Sequence, residues 1–311
     1  MSRIIDRFAF AIIGALALAL LAVMAGLAGA GPLNPTTPPG STDSVRLPGT
    51  PISSLPFTIN APGNYYVTRD LTANGAGVDG ITINTSNVTI DLGGFALHGG
   101  AGTDDGIVSI FPNTSVRNGA LDGWDGDGVN LTSASGAILN VTVTNASGRG
   151  VAAGSQFVIR EVIVRDAGAA GIVAGSNTVI RDCVSVSNGA DGVQAQGGLH
   201  IEGCTIQANS GDGIEATFSS FIAGNALSGN GAGAPDGAGI HVTGDRNRIE
   251  DNNVIGNDRG IDVDMAGNVI VRNSLMSNTV AIDAPAGTIV GGAITSANVN
   301  STFNPHGNYF P

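Results

Sequence analysis

The sequence predicts an all-β protein, a single-stranded right-handed parallel β-helix: a solenoid of about ten rungs with three short strands per rung. Three observations lead there. First, a Gly-apolar pair recurs at Gly80-Ile81, Gly106-Ile107, Gly128-Val129, Gly150-Val151, Gly171-Ile172, Gly192-Val193, Gly213-Ile214, Gly239-Ile240 and Gly260-Ile261, closing with Ala281-Ile282. The intervals are 26, 22, 22, 21, 21, 21, 26, 21 and 21 residues, and a period in this range marks a solenoid. Second, each period holds three short β-rich runs between Gly, Ser and Asn corners, which leaves no room for a helix. Third, 48 Gly and 5% aromatics suit a narrow core of stacked Val, Ile and Ala, against about 7% Gly in an ordinary chain. The Leu-x-x-Leu-x-Leu frame of a leucine-rich horseshoe is absent.

Arg3 and Arg7 precede an apolar run from Phe8 to Leu27, and Ala28-Gly29-Ala30 supplies small residues for cleavage. Residues 1–30 are therefore read as a signal peptide. The run also meets the length of about 20 residues for an uncleaved anchor, the alternative. Residues 31–51, with Pro-Thr-Thr-Pro-Pro-Gly, read as a flexible linker. Residues 52–311 are assigned to the β-helix, with Phe57 to Leu71 as a leading strand pair covering the first rung and a short C-terminal cap. Ten rungs at about 4.8 Å make a rod of roughly 48 Å. One rung reads Ile172 to Ala174, Thr178 to Ile180 and Cys183 to Val186, before Ser187-Asn188-Gly189 turns the chain back.

All 13 basic residues are Arg, and 25 acids bring the formal net charge to −12. A phosphate-backbone partner would need basic stripes, so nucleic acid is excluded. Cations, neutral sugars or solubility alone fit the acidic surface.

Cys183 and Cys204 lie 21 residues apart and should stack on adjacent rungs in an inward column Val141, Val162, Cys183, Cys204, Asn225, Asn252, Ser274. A disulfide and a buried thiol pair are both open. Asn225 and Asn252 predict an asparagine ladder. An inward sulfur has no access to substrate, which excludes a cysteine nucleophile.

In the strand after each glycine, alternation turns every second residue outward. That column reads Thr82, Val108, Asn130, Ala152, Val173, Gln194, Glu215, His241, Asp262, Asp283, and a second one reads Gln196, Thr217, Thr243, Asp264. Stacked like charges about 5 Å apart should titrate together. Three readings follow: a solvated face, a cation site, or acid–base chemistry on a glycan. The cation site would be Ca2+ on Asp262, Asp264 and Asp283, whose hard oxygens suit it. The acid–base site would use Glu215 and Asp262 flanking His241.

The corner before each glycine carries Asp79, Asp105, Asp127, Arg149, Ala170, Asp191, Asp212, Ala238 and Arg259. Asp-Gly is a common turn pair, because Asp accepts backbone N–H groups and Gly supplies positive φ. Extra residues at Gly99 to Thr103 and Gly231 to Pro235 are expected to stand as lips six rungs apart, bounding a trough of roughly 29 Å on the first strand face. Trp124 is expected at a corner, either covering the rod or offering its ring to a sugar.

The Gly-Ile-x-x, Asn-x-Ile and Asn-x-x-x-Asn-Gly phrases, as in Gly239 to Asn257 and Gly260 to Asn278, resemble the repeats of the pectin-lyase-like superfamily over Pro51 to Phe310. The resemblance implies a right-handed β-helix and a polysaccharide-related role. Its enzyme branches fit unevenly. Lyases of this fold that abstract a proton with Lys have no counterpart in a chain without Lys, and Arg149 or Arg259 would need a strongly lowered basicity to replace it. Of the polygalacturonase signatures only Asp104-Asp105 is matched, His98 lying in Leu-His-Gly-Gly, and the Asp-Pro-His of alginate epimerases is missing.

The sequence thus points to an exported monomer, secreted, periplasmic or on the cell surface, that binds a polysaccharide or cell-envelope glycan along the first strand face, with Ca2+ as the one candidate ion. It has no membrane contact after signal cleavage. A polysaccharide-active enzyme and a passive structural rod are the alternatives.

Overall fold

The computed structural model describes residues 49–132, 135–231, 237–295 and 304–310, which belong to one compact unit, 48–311. The segments expected to be a signal peptide, 1–30, and a linker, as far as residue 48, lie outside the described residues. The chain winds as a right-handed parallel β-solenoid with three strands per rung. The first strands of successive rungs form an 11-stranded front sheet, and the second and third strands form a continuous 22-stranded sheet around the rest of the rod. We number the rungs by their front strands. Rungs one to four begin at Phe57–Ile59, Ile81–Ile83, Ile107–Ser109 and Val129–Leu131, and rungs five to eight at Val151–Ala153, Ile172–Ala174, Val193–Ala195 and Ile214–Ala216. Rungs nine to eleven begin at Ala238–Val242, Arg259–Val263 and Val280–Asp283. No helix among the described residues is long and apolar enough to cross a membrane.

The leading strand pair is itself a rung. Phe57–Ile59 pairs in parallel with Ile81–Ile83, Gly63–Val67 with Val88–Asp91, and Leu71–Ala73 with Ala96–Gly99. This makes eleven rungs rather than ten; the first lacks the Gly-Ile marker, carrying Pro56-Phe57 instead. Thr50–Ile52 adds a partial turn against Gly63–Val67.

The inward stack forms as its spacing predicts. Ile172, Val193, Ile214, Ile240 and Ile261 are register partners on consecutive rungs, and each is fully buried. The glycine before each front strand serves this packing and not a positive φ, since none of the repeat glycines adopts one. A Cβ on Gly150 would lie 2.1 Å from Val164 Cγ1, and one on Gly192 would lie 2.3 Å from Ile206 Cγ2. The repeat glycine is where the third strand closes against the first, and any side chain would wedge them apart.

The corners are turned by stacked left-handed residues. Between the second and third strands these are Asn118, Asn140, Glu161, Asp182, Gly203, Gly224, Asp251 and Arg272, with φ from 52° to 68°. That region favours Gly, Asn and Asp, which explains much of the composition. The residue after each turn points inward. In this column the asparagine ladder runs Asn225, Asn252, Asn273, Asn308, and Asn273 takes the place expected for Ser274 because rungs nine and ten each carry one added residue in the first turn, so the column keeps the 21-residue step of the front strands. Asn252 shows the pattern: its N–H and Nδ2 donate to Asn273 Oδ1 (3.0 and 2.9 Å), Nδ2 also donates to the Ile222 carbonyl (3.0 Å), and its Oδ1 accepts from the N–H and Nδ2 of Asn225, both at 3.0 Å. Cys183 and Cys204 precede the ladder as neighbouring free buried thiols. Its hydrogen bond with Cys183 and its burial push the Cys204 thiol well up.

Trp124 neither covers the surface nor faces a sugar. It is fully buried, and its Nε1 donates to the Leu97 carbonyl at 3.2 Å. A Cβ on Gly80 would lie 2.5 Å from its Cη2, and one on Gly106 would lie 3.1 Å from its Nε1. Two bare glycines make the space for the ring.

Candidate functional site

The front sheet presents the outward column in the expected register: Thr82, Val108, Asn130, Ala152, Val173, Gln194, Glu215, His241, Asp262 and Asp283 are successive partners. The column divides into a groove and a charged tract. The groove, of about 520 Å3, lies over rungs five to eight. Ala152 and Val173 form its floor, Gln194 and Glu215 close one end, Arg149 flanks the other, and Ser155, Gln196 and Thr217 stand along its edge. Its two charged residues are engaged. Arg149 Nη2 pairs with Asp127 Oδ2 at 2.6 Å, and Gln194 Nε2 donates to Glu215 Oε2 at 2.9 Å.

The groove runs three rung intervals, about 14 Å, so it is shorter than the expected trough. The segment Gly99 to Thr103 does not stand as a lip: Gly100 N–H donates to the Ala73 carbonyl, Gly77 N–H to the Gly102 carbonyl, and Thr103 is buried. In the second insertion, residues 232–236 lie outside the described residues.

The corner aspartates, expected to serve their own turns, reach one rung along. Asp105 Oδ1 accepts from Asp127 N–H (2.7 Å), Asp127 Oδ1 from Arg149 N–H (2.7 Å), Asp191 Oδ1 from Asp212 N–H (2.8 Å) and Asp212 Oδ1 from Ala238 N–H (2.7 Å). At several corners the second oxygen holds an outward side chain. Asn130 Nδ2 donates to Asp105 Oδ2 (2.8 Å), and His241 Nδ1 donates to Asp212 Oδ2 (3.0 Å). Sequence reasoning did not connect the corner row with the outward column. The signal lay in the stacking itself, which brings residues 25 or 29 positions apart to one place.

The charged tract covers rungs seven to eleven. The Asp212 hydrogen bond pushes the His241 imidazole up to about 9 against the effect of burial, and the charges of Asp212, Asp262 and Asp264 add to it. At neutral pH it is an imidazolium. Its Nε2 lies 3.4 Å from Asp264 Oδ1 but makes no hydrogen bond. Arg259 Nη1 meets Asp262 Oδ2 at 2.5 Å, and its Nε lies 3.7 Å from Asp283 Oδ2. Burial pushes the Asp191 carboxyl up to about 6, opposed by the Asp212 N–H and reinforced by the charge of Asp212 and by a side-chain hydrogen bond with Glu215 and its charge.

Among the described residues, two groups have one ligand atom per residue within 4.8 Å of each other: His241, Asp262 and Asp264, and Asp191, Asp212 and Glu215. Of the residues expected to hold Ca2+, Asp262 and Asp264 meet around His241. Asp283 stands apart from that group, across the Arg259 guanidinium. Of the expected acid–base residues, Glu215 associates with Asp191 and Asp212, whereas Asp262 is almost fully buried and held by Arg259.

The family described as right handed beta helix region matches residues 105–248 and 176–310, together more than half of the chain. No curated protein matches it in sequence. Among solved structures, a mutant of the periplasmic alginate epimerase AlgG superposes with a TM-score of 0.58 at 14% identity, covering 84% of this chain and 76% of that one. The A-module of the Azotobacter vinelandii mannuronan C-5 epimerase AlgE4 gives 0.48 at 16% identity, covering 74% and 91%. Pectate lyase Pel9A gives 0.44 at 15%, covering 72% and 69%. The likeness to the AlgG structure is one of fold.

Proposed function

The chain belongs to the right-handed β-helix family, and we propose that it is an exported protein that binds a neutral polysaccharide along its front sheet, in the groove over rungs five to eight. The observation that carries this reading is the groove's lining. Its floor shrinks to Ala152 and Val173, while Thr132, Ser155, Gln194, Gln196 and Thr217 offer neutral hydrogen-bonding groups around it. A concave site with an apolar floor and a few polar groups is the usual form of a small-ligand or oligomer site. A net charge of −12 disfavours a polyanionic chain, and both charged lining residues already have partners. A carbohydrate role is in keeping with the alginate epimerase that shares the fold. Arg259 and His241 supply positive charge beside Asp262, Asp264 and Asp283, so binding should not respond to added Ca2+.

One observation favours a second reading, in which the bound glycan is also cleaved. Asp191, pushed up to about 6, keeps its proton to higher pH than an ordinary aspartate and lies beside Glu215 at the groove's end, and two carboxyl groups of different proton affinity are what general acid–base catalysis uses.

The test is calorimetric titration of residues 49–311 with neutral and uronic hexasaccharides, followed by chromatography of the products. Val173→Trp fills the floor and should abolish binding. Val158→Trp, on an exposed position of the other sheet, should leave it unchanged. Equal binding by the wild type and Val173→Trp would remove the groove from consideration, and new reducing ends or unsaturated products lost in Asp191→Asn would establish catalysis.

A further inference from the structure

The edge of the groove ends on an aromatic ring. Phe218 follows Thr217 in the first turn of rung eight and is 48% exposed, the one exposed phenylalanine among the described residues. Two glycines form its seat. Gly197 and Gly244 occupy the same turn position, four residues after Val193 and Ile240, on the rungs to either side. A Cβ on Gly197 would lie 2.6, 2.7 and 2.8 Å from Cε2, Cδ2 and Cζ of Phe218. Three successive ring carbons at nearly equal distance place that point over the face of the ring; approach to an edge would leave the outer two much farther away than the middle one. A Cβ on Gly244 would meet Phe218 Cβ at 3.2 Å. The ring therefore lies flat across the turn of rung seven with its other face toward solvent.

That face adjoins the groove. Gln196 and Thr217, the residues before Gly197 and Phe218, both line it, and the Thr217 hydroxyl is buried without a hydrogen-bond partner. The face of a phenyl ring carries partial negative charge. A hexopyranose whose hydroxyls are all equatorial presents two faces of C–H groups, weakly positive and apolar, with its hydroxyls around the rim. Such a sugar can lay a C–H face on the ring and turn its rim toward Gln196 and Thr217.

We infer that Phe218 is a stacking platform for one unit of the bound glycan, and that the glycan is of the equatorial, β-glucan type. The inference rests on the groove reading above. The test titrates cellohexaose into the wild type and into Phe218→Ala, Phe218→Leu and Phe218→Trp by calorimetry. The Ala and Leu variants should bind about tenfold more weakly, the size of one aromatic contact, and Trp should bind at least as well as Phe. The introduced indole should also change emission on titration, against the constant background of buried Trp124. Full affinity in Phe218→Ala or Phe218→Leu, with binding lost in Val173→Trp, would overturn the platform and keep the groove. Full affinity in Val173→Trp would overturn the groove. Binding of other neutral hexasaccharides but not cellohexaose would overturn the equatorial class.

Discussion

Rungs three to five and rungs eight to ten share one backbone path yet fill their corners with opposite chemistry. In the earlier rungs the inward positions after the left-handed turns hold Val141 and Val162, Ala146 and Ala167, and Phe157, while Trp124 takes the third corner of rung three; all are buried among aliphatic neighbours. In the later rungs the same positions hold Asn225, Asn252 and Asn273, then Asn230, Asn257 and Asn278, and finally Asn247 and Asn268. Each amide is satisfied by the rung on either side, as when Asn247 Nδ2 donates to Asn268 Oδ1 at 3.0 Å and Asn230 Nδ2 to Asn257 Oδ1 at 3.3 Å. An apolar corner is stabilised by whatever it touches. An amide corner depends on an unbroken series, because a gap strands polar groups above and below it. The change of chemistry falls near rungs six to eight, where Ala167 N–H donates to Asn188 Oδ1 and Cys204 N–H to Asn225 Oδ1. The groove spans this junction, and the charged tract stands on the amide half.

The largest test of the comparison is Trp124→Ala, which leaves a cavity over Gly80 and Gly106 and removes the indole donor to the Leu97 carbonyl. It should cost about 3–5 kcal/mol in denaturant unfolding, and a loss below about 1 kcal/mol would mean that the apolar end does not depend on filling. Next comes Asn252→Leu, which keeps the volume but leaves the buried Asn225 N–H without its acceptor and removes the side-chain donor to Asn273 Oδ1 and the Ile222 carbonyl. Its expected cost is about 2–4 kcal/mol, whereas Val162→Ala in the same column removes only methyl groups and should cost about 2 kcal/mol or less. If the two columns responded alike, the amide series would have no special weight.

The smallest effect is a pH dependence carried by the charged tract. With the folded His241 at about 9 against about 6.5 unfolded, its contribution is fully present below pH 6.5 and is lost as pH rises through 9. Asp191, raised to about 6 from about 3.8–3.9 unfolded, binds its proton more tightly when folded. It therefore weakens the fold as pH rises from about 4 to 6. Thermal unfolding of the wild type should occur at progressively lower temperature from pH 7 to 9.5, and His241→Gln should remove most of that decline. A curve unchanged by the substitution would show that Asp212 does not hold a charged imidazole.

Much of this was legible in the chain. The Gly-apolar period specified the rungs, period-two alternation specified both the inward isoleucine stack and the outward column, and the 21-residue spacing placed Cys183 beside Cys204. Other features were hidden for physical reasons. Rung one was missed because Phe57 follows a proline where its successors follow a glycine. The ladder position after Asn252 was placed at Ser274, one residue late; rungs nine and ten share the same added turn residue, so the column keeps its 21-residue step to Asn273.

The site divides in the same way. Sequence by itself determined which residues face outward on the front sheet, since alternation along a strand is a local property. Only the tertiary structure decided what those residues do. It sets Asp212 against His241 and Asp105 against Asn130 across rungs, places Arg259 between Asp262 and Asp283, and draws Trp124 into space left by two glycines on neighbouring rungs. Apart from the contact of Arg259 with Asp262, three residues on, these are through-space meetings between segments 18 or more residues apart. Their geometry depends on how rungs stack, and no local pattern in the chain records it.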